Sequence, residues 1–81
     1  MRVRIGVITS IEGEELARRM GFDPVLVYRG LEEVPGLLEE ALGREDVDIL
    51  LVERDAFEKY SSLILEKRRE KTFPLILRAE V

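Results

Sequence analysis

At 81 residues the chain has room for one domain and one modest core. Its 13 basic and 17 acidic residues give a net charge of -4, which excludes nucleic-acid binding through a basic surplus. Cysteine and histidine are absent, which removes disulfides, thiolate metal sites, the cysteine nucleophile, the commonest general base and the commonest zinc ligand. Hydrophobic residues make up 46%, enough to drive folding. No apolar stretch approaches the ~20 residues that span a bilayer. Arg2 and Arg4 lead into an apolar run too short for a signal peptide. These features fit a soluble, cytoplasmic protein. Asparagine and glutamine are also missing, which together with abundant Glu and Arg is a thermophile-like pattern.

Val3 to Thr9 is apolar and rich in β-branched residues, the pattern of a strand buried on both faces. Ser10 is placed to cap a first helix, on which Gly13, Leu16, Ala17 and Met20 share one face. Gly21 closes that helix. Pro24 opens a second strand, Val25 to Tyr28, which ends at Gly30. Val34, Leu37, Leu38, Ala41 and Leu42 follow the spacing of one amphipathic helical face. Pro35 belongs in its first turn and Gly43 at its end. Ile49 to Val52 reads as a third strand. Asp55 and Glu58 have the spacing of a capping box at the head of a third helix running to about Lys71. Pro74 introduces a fourth strand, Leu75 to Arg78.

The alternation β-α-β-α-β-α-β over residues 1–81 predicts a single α/β domain. Its form is a three-layer sandwich with a four-stranded parallel sheet in the order 2-1-3-4 and helices on both faces, in the manner of flavodoxin and receiver domains. Ile5, Val7, Ile49, Leu51, Leu75 and Leu77 are expected among the buried positions.

Ligands of such sheets bind beyond the carboxyl ends of the strands at the switch point, here between strands one and three. Thr9, Ser10, Glu12 and Gly13 fall there from one loop, with Glu53, Arg54 and Asp55 from the other. Glu12, Glu14 and Glu15 occupy the first helix N-terminus, where they complement the helix dipole and repel phosphate. No phosphate-binding glycine motif is present. Glu53 and Asp55 could be read as a magnesium site. A receiver domain, however, carries its acceptor Asp where this chain has Glu53, and an acidic pair where it has Thr9 and Ser10. Helix capping accounts better for Asp55. No cofactor, metal or catalytic constellation is expected.

The third helix carries Phe57, Tyr60, Ser61 and Ile64 on its sheet-facing stripe. Ala56, Leu63 and Leu65 widen the apolar arc beyond what a surface helix needs. Lys67, Arg68, Arg69 and Lys71 form a basic end. One reading is a broad core face with a cationic end suited to the dipole. The other is a partner-binding surface made of Leu65, Lys67, Arg68 and Arg69.

The run Glu45 to Val52, the helix after it, and Phe73-Pro74-Leu75-Ile76-Leu77 resemble the small regulatory central-stalk component of the archaeal-type (A-type) and vacuolar-type (V-type) rotary ATP synthases. Val3 to Thr9 and a first helix ending Met20-Gly21-Phe22 are compatible with that family. The resemblance implies a non-catalytic stalk component that couples or regulates rotation, in ATP synthesis or hydrogen-ion transport. Its partners would be the central shaft and the catalytic head, with no nucleic acid and no membrane insertion. It would be cytoplasmic and peripheral to a membrane-bound complex, and the ATP chemistry would belong to other chains. The sequence departs from the family in Thr9-Ser10 after the first strand and in Glu15-Leu16-Ala17-Arg18-Arg19 in the first helix. Family members also continue past the fourth strand into a helix along the shaft, whereas this sequence stops at Val81. The alternative is a stand-alone receiver-like regulatory or small-ligand domain.

Overall fold

The computed structural model describes residues 2–80. The β-branched runs become strands β1 (Ile5–Ser10), β2 (Val25–Tyr28), β3 (Ile49–Glu53) and β4 (Leu75–Ala79). Between them lie helices α1 (Ile11–Arg19), α2 (Val34–Leu42), α3 (Arg54–Lys59) and α4 (Ser61–Glu70), with a 3-10 turn, Leu31–Glu33, before α2. All strand pairs are parallel, in the expected order β2-β1-β3-β4. Val7 lies beside Leu51, and Leu51 beside Leu77, so these three residues point to the same face of the sheet. No helix among the described residues is long and apolar enough to cross a membrane.

Local chemistry explains where the helices stop and start. Gly21 takes a left-handed φ of 84°. Its N–H donates to the Arg18 carbonyl and the Phe22 N–H to that of Ala17, the paired bonds of a Schellman ending. Pro35 lies in the first turn of α2, where a missing N–H is harmless. The expected single third helix is instead two. Tyr60, at φ -111° and ψ 28°, ends α3 and begins α4. A straight helix over residues 54–70 would be ~25 Å long. A five-residue strand spans only ~17 Å, so the break keeps both pieces on the sheet. Leu65, one residue on from buried Ile64 in α4, points away from the sheet and is exposed. The Asp55–Glu58 capping box does not form. Glu53 holds the N-cap position, Asp55 is in the first turn, and Glu58 approaches Arg78 instead.

The two faces of the sheet are unlike. Ile8, Leu50, Val52 and Ile76 point to one face and are buried under Val34, Leu38, Ala41 and Leu42 of α2, Ala56 of α3 and Ile64 of α4. Helix α1 covers only the β1–β2 half of the other face, where Val7 and Ala17 are buried. The expectation of double burial therefore fails for β3 and β4. Leu75 and Leu77 are 47% and 44% exposed, and Ile49, Leu51 and Ile5 are partly buried. Both crossovers leading to β3 and β4 put their helices on the face of α2, so no connection between strands can cover the opposite side.

Two glycines separate close packing from open space. A Cβ on Gly6 would meet the Pro24 ring at 2.9 Å and the Pro24 carbonyl at 3.3 Å, whereas one on Gly36, in α2, would meet nothing within 4 Å. Gly6→Ala should therefore lose about 1–3 kcal/mol in a denaturant melt through forced displacement. Gly36→Ala should gain about 0.4–1 kcal/mol.

Candidate functional site

The carboxyl ends of β1, β2 and β3 meet at the Glu53 side chain. Its Oε2 accepts from the Thr9 hydroxyl at 2.9 Å, the Ser10 hydroxyl at 2.9 Å and the Ser10 backbone N–H at 3.0 Å. Its Oε1 accepts from the Tyr28 hydroxyl at 2.7 Å. Ser10 holds the N-cap position of α1, but its hydroxyl makes no capping bond and donates to Glu53. The cap of α1 thus comes from β3: a carboxylate sits at the positive end of the helix. A Cβ on Gly13 would collide with the Thr9 hydroxyl, so this clasp needs glycine in the first turn of α1.

Burial works against a charge on Glu53, but the donors from Ser10, Tyr28 and Thr9 outweigh it and hold the carboxyl below its ordinary range. Burial pushes the Tyr28 phenol well above its usual range, and its bond to the Glu53 carboxylate pushes it further. Tyr28 therefore stays a neutral donor and Glu53 a charged acceptor. Both carboxylate oxygens and all three hydroxyl protons are engaged within the cluster. Among the described residues no group of three Asp or Glu side chains is placed to hold a metal ion.

Beside the clasp a groove of about 620 Å³ runs between α1 and the uncovered strands. Val7, Leu16, Ala17, Met20, Phe22 and Leu51 give it an apolar wall. Leu16 and Met20 share a helical face with Ala17 in the sequence pattern. They line this groove, 54% and 62% exposed, because nothing stands over β3 and β4 to meet them. The mouth at the strand ends carries Glu12, Arg54, Asp55, Arg78 and Glu80. Arg54 pairs with Asp55 and Arg78 with Glu80, while Glu12 has no ion pair among the described residues.

The switch-point residues Thr9, Ser10, Glu12, Gly13, Glu53, Arg54 and Asp55 do come together. The four residues of the basic helix end differ in their partners, with Leu65, Arg68 and Arg69 exposed. Lys67 is half-buried and salt-bridged to Glu39 of α2. Arg68 lies over the Phe57 ring, 5.6 Å from its centre, and donates to the Ile76 carbonyl of β4. Tyr28 joins the cluster although sequence reasoning does not assign it there. A signal exists: in the order 2-1-3-4, Tyr28, the pair Thr9-Ser10 and Glu53 all end adjacent strands.

The fold and strand order are those of a small doubly wound α/β domain of flavodoxin-like arrangement. Compared with protein-family models, curated proteins and solved structures, the chain matches none.

A carboxyl whose folded pKa lies below its unfolded one stabilises the fold above the unfolded pKa. That contribution is lost as pH falls through the folded pKa. Glu53→Gln should therefore cost about 1–3 kcal/mol near neutral pH. The gap between variant and parent should shrink progressively below about pH 4, where the parent carboxyl takes up its proton. Urea melts of both proteins across this range check the prediction, and a gap independent of pH would count against the charged clasp.

Proposed function

We propose that this chain is a non-catalytic docking module whose open sheet face receives an amphipathic helix of a partner protein. The observation that carries the reading is the uncovered β3–β4 half of the sheet, with Leu51, Leu75 and Leu77 as its floor and Leu16 and Met20 along one bank. Two strands span ~9.6 Å. A helix with its side chains is ~10 Å across, so one helix fits the gap beside α1. The mouth residues Glu12, Asp55 and Glu80 against Arg54 and Arg78 leave a surplus of one acid, complementary to a basic residue on the arriving helix. A second copy fits this groove poorly. The two-fold axis that lets each α1 enter the other's groove runs along the helices. It would lay them parallel and bring their acidic first turns, Glu12 and Glu14, together.

The resemblance to the small stalk component gives the proposal a specific setting: the central stalk of a rotary ATPase, on the cytoplasmic side of the membrane, with ATP chemistry in other chains. It is supported by the strand-helix-proline-strand pattern and by the parallel order of the strands. The engaged state of the Glu53 cluster favours docking over a receiver-like or small-ligand role, because its hydroxyl donors are already spent on the carboxylate.

The test is a titration of isotope-labelled protein with two probes: a leucine-striped basic helical peptide, and the purified central-shaft protein of a vacuolar-type ATPase. Backbone signals of β3, β4 and α1 should shift with a probe that docks, and Leu77→Lys should weaken that binding at least tenfold with circular dichroism unchanged. Shifts confined to Leu65 and Arg69 would move the docking surface to α4. Binding of the peptide without the shaft protein would retain the docking face and end the stalk assignment. Silence with both probes would overturn the proposal.

A further inference from the structure

The last strand of the sheet order is an edge, and its free side is unlike that of an ordinary edge. The Leu75 N–H donates to the Asp48 carbonyl at 2.9 Å, so the backbone of Leu75 faces β3. By strand alternation the backbone groups of Pro74, Ile76 and Arg78 face outward, away from the sheet. Pro74 has no N–H to offer. The outward Ile76 carbonyl is already taken by the Arg68 guanidinium, whose head lies against the Phe57 ring on its way from α4. Arg78, the third outward residue, carries a charge.

The same strand is self-complementary. Paired antiparallel with a second copy about Ile76, it would set Ile76 opposite Ile76, Leu75 opposite Leu77, Phe73 opposite Ala79 and Pro74 opposite Arg78. The open face would then carry Phe73, Leu75, Leu77 and Ala79 from both chains as one apolar strip. The exposures of the first three, 60%, 47% and 44%, show how much of it stands uncovered in one copy. No like charges would face each other directly across this pairing. The Ile76 N–H and carbonyl would exchange bonds with those of the other copy, and the Arg78 N–H would reach the Pro74 carbonyl. One group stands in the way: the Arg68 guanidinium sits on the outward Ile76 carbonyl, in the space a second β4 would have to fill.

We infer that the free edge of β4 is a pairing surface for a second copy of this chain, and that Arg68 keeps it closed. Arg68 is an edge guard. It does the work that edge lysines, prolines and bulges do in other sheets, but from a neighbouring helix. Its hold on the carbonyl is charge-assisted, and its stem packs on an aromatic ring, so the guard is fixed in place. The docking face proposed above shares Leu75 and Leu77 with this strip but uses their side chains and not the backbone edge, so it does not depend on this pairing.

Sedimentation velocity over a concentration series tests the inference. The parent chain should remain monomeric. Arg68→Met keeps the stem over Phe57 and removes the donors, and it should tighten self-association at least roughly tenfold. Arg68→Gln, whose shorter head falls back from Ile76, should shift association in the same direction and covers the case in which the methionine variant does not fold. Arg69→Met, one residue along and free of the edge, should behave as the parent. Adding Arg78→Pro to Arg68→Met removes an outward N–H and should return the protein to monomer. A folded Arg68 variant as monomeric as the parent would overturn the inference. So would a parent that already pairs, or self-association that survives Arg78→Pro.

Discussion

The arrangement of the strand ends depends on one carboxylate. Glu53 gathers donors from β1, from the start of α1 and from β2, and so ties three of the four strands at the end where such folds carry their sites. Hydrogen bonds to a charged acceptor in a partly dry setting are among the stronger polar contacts a small domain has. Leaving any of these hydroxyls buried without a partner would be costly, and among the described residues no buried polar side-chain atom lacks one. The ion pairs spread over the surface, such as Glu14–Arg18 and Glu15–Arg19 on α1, contribute far less individually. The clasp also decides what the switch point cannot do. A phosphate arriving at the N-terminus of α1 would compete with a carboxylate already bonded to the Ser10 N–H.

The second constraint is topological. In the order 2-1-3-4, right-handed crossovers place α1 on one face and every later connecting helix on the other. One face of the sheet is therefore fully roofed and the other half roofed. The residues of the open half remain leucines, Leu75 and Leu77, where a solvated antiparallel sheet would alternate to polar side chains. This apolar face and the charges that border it carry the proposed docking role.

Much of this architecture was legible in the sequence. Helix-breaking Pro24 and Pro74, the glycine at Gly21 and the periodicity of Val34, Leu38, Ala41 and Leu42 placed the elements to within a residue or two. Parallel pairing followed from alternation, and the order 2-1-3-4 from likeness to the flavodoxin-like arrangement. Burial on the second face did not. A continuous apolar run says that both sides of a strand are greasy, but not that both are covered. Covering depends on which face each crossover takes and on whether a helix exists to fill the space. The break at Tyr60 was hidden for a related reason. The apolar arc of residues 56–65 looked too wide for one helix because it records two helices with different phases. The Glu53 clasp was half legible: its residues were placed together at the switch point, but as a candidate ligand site. Polar residues that converge can bind something else or bind each other, and spacing does not separate the two.

The basic end of α4 shows the same ambiguity resolved by geometry. Read linearly, Lys67, Arg68, Arg69 and Lys71 form a single cationic patch offered to a partner. In the fold they diverge. Lys67 salt-bridges Glu39, and the pairing raises its affinity for its proton; Lys71 donates to the Leu42 carbonyl at the end of α2; and Arg68 crosses to β4. Three of the four cations thus fasten α4 to its neighbours, with Arg69 left facing solvent. This follows from the helix dipole as much as from charge pairing, since cations at a helix end sit close to whatever carbonyls surround it. The consequence for association is directional. A sheet whose edge is closed by Pro74 and Arg68 cannot easily grow sideways, while its apolar half-face stays open. On the proposed docking role, contacts with other chains are steered from the edge, where backbone pairing is promiscuous, to the face, where side-chain shape decides the partner.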